Sequence, residues 1–168
     1  MPDANITKRA LANSMKERMQ EKAFEKISVI DICEGCGMNR KSFYYHFKDK
    51  YDLVNWIFYT DFITMASSRE YESGWDLLVL VADLFYQDPG FYREALRIEG
   101  QNSFRDYFYE SISPIFELFL GEGEFNIQYI CDAFLAIVMR WLSDGCEQEP
   151  KDFVQILRSM LQTVEDKL

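Results

Sequence analysis

The chain has 168 residues, with 18 Lys+Arg against 28 Asp+Glu, 48% apolar content and 16% aromatic content. This length suits one modest core, or a small domain joined to a larger one, and the apolar fraction excludes global disorder. No stretch nears the roughly 18–20 uninterrupted apolar residues that span a bilayer, and residues 1–25 carry charges where a signal peptide needs an apolar centre. The expectation is a cytosolic protein with no membrane association, whose Cys33, Cys36, Cys131 and Cys146 are thiols rather than a disulfide framework.

A net charge of −10 argues at first against a polyanionic partner, but the charge is unevenly placed. Residues 1–50 hold ten Lys/Arg and seven Asp/Glu, whereas residues 51–168 hold eight against twenty-one. A mildly basic head, 1–50, therefore precedes an acidic body, 51–168.

With four prolines, eight glycines and apolar residues at helical spacing, the fold class reads as all-α. Leu11, Met15, Met19 and Ala23 recur every fourth residue, predicting a helix over about Thr7–Phe24. Ser28 and Asp31 have capping-box spacing and start a short helix, Val29–Cys36. Gly37 ends it, and Asn39 caps another helix two residues later, so the two must cross steeply. Asp49 and Asp52 repeat the capping spacing at the head of a longer helix, 50–66. Further helices are expected over 75–87, 90–98, 103–120, 125–146 and 151–167, separated by Ser73–Gly74, Asp88–Pro89–Gly90, Glu99–Gly100, Gly121–Glu122–Gly123 and Gln148–Glu149–Pro150.

Two short helices around a glycine turn have the layout of a helix-turn-helix, whose second helix enters the DNA major groove. Phe43 and Phe47, four apart, would anchor one face of that helix, directing Arg40, Lys41, Tyr44 and Tyr45 outward. Arg40 is long enough to donate two hydrogen bonds to guanine, and Lys50 and the amides at the helix start would meet phosphate. Gly35, inside the first short helix, should cost about 0.5–1 kcal/mol relative to Ala.

The segment CGMNRKSFYYHFKDKYDL, within Thr7 to about Trp56, resembles the N-terminal domain of the TetR family of bacterial transcription regulators. The resemblance rests on the Gly turn, the Phe-Tyr-Tyr-His-Phe block with His46, and Lys50 beyond it. It implies a three-helix DNA-binding domain followed by a helical-bundle regulatory and dimerisation domain. It places Arg40, Lys41 and Ser42 at base-contacting positions, and Ser28, Tyr44, Tyr45, His46 and Lys50 mostly at phosphate-contacting ones. Lys41 departs from the pattern, since many members carry a small residue there. DPGFYREALRIEGQNSFRDYFYESISPIFE is similar to the C-terminal domain of the subgroup that activates dihydroxyacetone kinase operons. That similarity implies control by a kinase-like protein coactivator as the alternative to a small-molecule effector.

His46 is the only histidine, which removes His-dependent triads and multi-histidine metal sites. With no phosphate loop or nucleophile motif either, no catalytic residue, cofactor or metal is expected. Cys33-Glu34-Gly35-Cys36 has the spacing of a redox pair or half a zinc site, but a structural role is the stronger reading, with no second thiol pair nearby. Aromatic residues of the body fill a core or line an effector pocket; Phe85, Tyr86, Phe108 and Phe134 are the pocket candidates, with Gln101, Asn102 and Arg105 as polar anchors. In the last two helices the apolar residues spread over more than one face. This predicts a symmetric dimer interface through Ile130, Phe134, Trp141, Phe153, Leu157, Met160, Leu161 and Val164. A homodimer would offer two recognition helices to a palindromic double-stranded operator.

Overall fold

The computed structural model describes residues 2–67, 70–120 and 127–165, all of whose regular structure is helical. The elements are α1 (Pro2–Glu21), a 3-10 turn (Phe24–Lys26), α2 (Val29–Gly35), α3 (Arg40–His46), α4 (Lys50–Ala66), α5 (Gly74–Gln87), α6 (Pro89–Ala95), α7 (Phe104–Leu120), α8 (Ile127–Ser143) and α9 (Pro150–Glu165). The all-α reading holds. The largest differences from the sequence reading fall on three helices. α1 begins five residues before Thr7 and stops at Glu21, the chain tightening into the 3-10 turn at Phe24. α6 ends at Ala95 instead of 98, and α8 closes at Ser143, because Gly145 and Cys146 both take positive φ, 80° and 55°, which no helix accommodates. Gly121, Glu122, Gly123 and Phe125 lie outside the described residues.

The chain divides into two compact units: residues 1–60 with 90–108, and residues 61–89 with 109–168. In the first unit α1 packs on α2 and α3, and α2 on α3. Leu11 and Met15 of α1, Ile32 of α2, Phe43 of α3 and Leu53 of α4 are fully buried together with Ile27. Residues 90–108 belong to the same unit because Phe58 of α4 meets the rings of Tyr92, Phe104 and Phe108 edge-on, at centroid distances of 6.4, 5.5 and 5.6 Å.

The second unit is built on α5 packed against α9. Its stacking centre is Trp141 of α8, which lies nearly parallel to Phe153 of α9 at 4.3 Å and to Tyr86 of α5 at 6.3 Å. Its indole N–H donates to the Gln148 carbonyl at 3.1 Å, so the ring is buried without stranding its polar atom. α5 starts with a second Ser-x-x-Asp box, in which Ser73 N–H and Oγ–H donate to Asp76 Oδ2 at 2.9 and 3.1 Å.

Candidate nucleic-acid interface

α2 begins where the Ser28 and Asp31 side chains and amides satisfy one another. Ser28 N–H and Oγ–H each donate to Asp31 Oδ2 at 2.7 Å, and Asp31 N–H donates to Ser28 Oγ at 3.2 Å. These bonds, with Lys22 Nζ 2.9 Å from Asp31 Oδ1, hold the carboxyl well below the usual carboxylate range. The same ion pair ties the residue just after α1 to the helix-turn-helix. α2 ends in a hydrogen-bonded turn, Met38 N–H to Cys33 carbonyl at 2.8 Å, for which Gly37 adopts φ 66°.

Gly35 is required by the packing rather than merely tolerated. A methyl group placed there would collide with Ser14 Oγ of α1. That hydroxyl cannot easily rotate away, because it is buried and donates to the Ile32 carbonyl at 2.8 Å. The helix-propensity cost read from the sequence is the counterpart of a close α1–α2 approach that periodicity alone does not display.

α3 is capped by Asn39, whose Oδ1 accepts from Ser42 N–H at 2.9 Å and from Ser42 Oγ–H at 3.2 Å. Phe43 is 0% exposed and Phe47 3%, while Tyr44 is 50% and Tyr45 82% exposed. Arg40 and Lys41 are exposed as well. An exposed Tyr44 next to a buried Phe43 follows from the roughly 100° step per residue of an α-helix. Arg40 lies over the Tyr44 ring at 5.7 Å with a guanidinium nitrogen 3.5 Å from the Tyr44 hydroxyl, an arrangement that extends the guanidinium along the helix surface. His46 is half-buried, its ring edge-on to Tyr45 at 4.9 Å. Arg40, Lys41, Tyr44 and Tyr45 thus share the exposed side of α3, Ser42 is engaged in its cap, and Ser28 sits exposed at the start of α2. Lys50 stands apart from this group. Its ammonium is spent on backbone carbonyls, donating to those of Phe24, Ile27 and Glu25 at 2.7, 2.9 and 3.3 Å.

Asp49 caps α4, accepting from Asp52 N–H at 2.9 Å, and Asp52 accepts from Lys48 N–H at 2.9 Å, as the repeated spacing predicts. Lys8 of α1, which periodicity did not single out, holds its ammonium 5.6 Å from the Phe47 ring centre and 5.5 Å from that of Trp56.

Of the two CxxC thiols, Cys33 is buried and Cys36 half-buried. Burial pushes both thiols up in pKa, away from reactive thiolate. Cys36 Sγ–H faces the Ile32 and Cys33 carbonyls at 3.4 and 3.5 Å. Among the described residues, no group of three or more His, Cys, Asp or Glu side chains is placed to hold a metal ion, and no helix is long and apolar enough to cross a membrane.

The candidate pocket residues do not all share a compact unit. Gln101, Asn102, Arg105 and Phe108 belong to the first, and Phe85, Tyr86 and Phe134 to the second. Phe85 and Phe108 are fully buried, while Gln101, Asn102 and Arg105 are exposed. An apolar groove of about 250 Å³ lies wholly in the second unit and takes in one of these candidates, Phe134, its walls also including Trp75, Phe116, Tyr129, Leu157 and Met160. Of the residues expected at a dimer interface, Phe134, Trp141, Phe153 and Leu157 are buried within the subunit, Ile130 is half-buried and Met160 is 53% exposed. The side chains of Leu161 and Val164 lie outside the described residues.

Residues 16–57 match the model described as bacterial regulatory proteins, tetR family, and residues 75–163 match one described as transcriptional regulator C-terminal region. The chain belongs to the TetR family. It is similar to the HTH-type dhaKLM operon transcriptional activator DhaS of Lactococcus lactis, with 33% identity over 94 residues. That match spans 52% of this chain and 50% of the relative, about half of its length. The fold is also that of a solved dihydroxyacetone kinase operon activator DhaS, with TM-score 0.67, 22% identity and coverage of 95% of this chain and 97% of that one. A transcriptional regulator (TerR/AcrR family) from Aquifex aeolicus gives TM-score 0.62 at 22% identity, covering 94% and 99% of the two chains. NalD, the secondary repressor of the MexAB-OprM multidrug efflux pump in Pseudomonas aeruginosa, gives 0.62 at 19%, covering 96% and 97%.

Proposed function

We propose that this TetR-family chain is a cytoplasmic, homodimeric transcription regulator that binds a palindromic double-stranded operator through α3, and that it is not an enzyme. The observation that carries the reading is the two-sided character of α3. Phe43 and Phe47 fix it to the core, leaving two cations and two tyrosines on the side that a groove would meet. Arg40 and Lys41 reach base edges, and the exposed hydroxyls of Tyr44 and Tyr45, together with Ser28 and His46, serve the phosphates. Ser42 contributes from the first turn of α3. Dimerisation through α8 and α9 pairs the two heads, supported by the exposure of Tyr129, Ile156 and Met160 on these helices.

Regulation is a population shift: an effector that binds one arrangement of the dimer better than another changes operator affinity by that difference in binding free energy. A protein coactivator is the second reading, favoured by the excess of Asp and Glu over residues 51–168, which suits a basic protein surface, and by the relative's role as a dhaKLM operon activator. Selection of duplexes from a random pool by the purified dimer tests the central reading. Recovery of a palindrome, with Arg40→Ala weakening binding by about 10- to 100-fold while the dimer stays intact, is the expected result. No duplex enrichment, or unaltered affinity of the variant, would contradict it.

A further inference from the structure

The first turn of α4 grips the segment between α1 and α2. Lys50 Nζ is within hydrogen-bonding distance of three converging carbonyls, those of Phe24, Glu25 and Ile27, and lies 4.2 Å from the centre of the Phe24 ring. Its neighbour Tyr51 meets the same ring edge-on at 4.9 Å. The Phe24 carbonyl already accepts from Ile27 N–H at 3.0 Å, and an ammonium with three tetrahedral hydrogens is suited to collect its second lone pair together with the Glu25 and Ile27 carbonyls. Ile27 is itself buried and immediately precedes Ser28, the cap from which α2 departs. Nothing but one peptide bond separates the gripped carbonyl from the start of the helix-turn-helix.

We propose that Lys50 is a positioning residue which bolts the entry of α2 to the first turn of α4, rather than a phosphate ligand. All three of its hydrogens are committed inside the subunit, so contact with phosphate would require withdrawing them from the carbonyls. The bolt also gives a displacement of α4 a direct route to α2, and through the α2–α3 turn to the recognition surface. Desolvation lowers the Lys50 pKa and nearby Glu25 opposes the shift, as befits an ammonium partly withdrawn from water.

This inference rests on the DNA-binding reading only for its affinity arm. The full chain, Lys50→Met and Lys50→Arg are compared on the duplex that the wild-type dimer selects from a random pool, across a range of salt concentrations. Hydrogen exchange of residues 24–28 is followed without DNA. A planar guanidinium cannot reproduce the tetrahedral fan of bonds to three carbonyls, yet it is a good phosphate ligand. The bolt predicts that both variants lose at least about ten-fold in affinity and exchange residues 24–28 faster, with the salt slope unchanged. Wild-type affinity in Lys50→Arg, or a slope reduced by about 0.9 per protomer in Lys50→Met, assigns the residue to phosphate and overturns the proposal. Unchanged exchange at 24–28 overturns it as well. Should Lys50→Met fail to fold, Lys50→Arg decides alone. If the wild-type dimer selects no duplex, the DNA reading fails, and the exchange arm still tests the bolt.

Discussion

Along α3 and its C-terminal cap, Phe43 and Phe47 are buried while Tyr44 and Tyr45 stand in solvent; along α9, Phe153 and Leu157 are buried while Ile156 and Met160 are exposed. Both helices anchor themselves with one apolar face, as an amphipathic helix must. The difference lies in what the other face offers. α3 shows guanidinium, ammonium and phenolic groups, which suit a hydrated polyanion, and α9 shows aliphatic carbon among polar neighbours, which suits another protein surface. Elements of one period and similar anchoring therefore present opposite chemistries through a few outward positions.

The two units also differ in how they are held together, and substitution can expose this. In the second unit Trp141 carries both a double stack and a part-buried hydrogen bond. Trp141→Ala should cost about 3–5 kcal/mol, read by denaturant unfolding, and should melt contacts of α8 with α9 before those of α1 with α2. In the first unit the sensitive point is a contact without any large side chain. Gly35→Ala should destabilise by about 1–3 kcal/mol by overpacking against Ser14, although propensity alone predicts a gain of about 0.5–1 kcal/mol. A stabilised variant would show that α1 and α2 have room to part. Ser28→Ala, which removes the α2 cap, should cost about 1 kcal/mol.

The smallest effect concerns pH. The Asp31 carboxyl is held low by Ser28 and Lys22, so its contribution to stability is fully present above its unfolded-state value of about 3.9 and is lost as pH falls through the lower folded value. The stability difference between wild type and Asp31→Asn should therefore be equal at pH 7 and pH 5 and shrink only below about pH 4. A difference already shrinking at pH 5 would mean that the cap does not hold the carboxylate.

Much of the head was legible because its signals are local. Ser28 with Asp31, Gly37, Asn39, and Asp49 with Asp52 each satisfy or turn backbone within four residues, and all do so in the structure. Ser73 and Asp76 carry the same spacing, but the Ser-Gly pair there reads as a loop, so the capping box was missed although its signal was present. The Lys50 contacts reach back 23 to 26 residues, and the Ser14–Gly35 approach joins two helices; neither has a period to betray it. Phe85 and Phe108 illustrate the remaining gap. Aromatic content shows that large rings will be buried, but which compact unit each ring enters is set by tertiary packing.

Tyr45 and Tyr129 are two strongly exposed tyrosines, 82% and 73%, one on α3 and the other on α8. Replacing each in turn with a photocrosslinking phenylalanine derivative and irradiating the dimer on its selected duplex asks directly which helix meets DNA. Covalent attachment to the duplex from position 45 and none from position 129 is the predicted result. Attachment from 129 with none from 45 would contradict the placement of α3 in the groove.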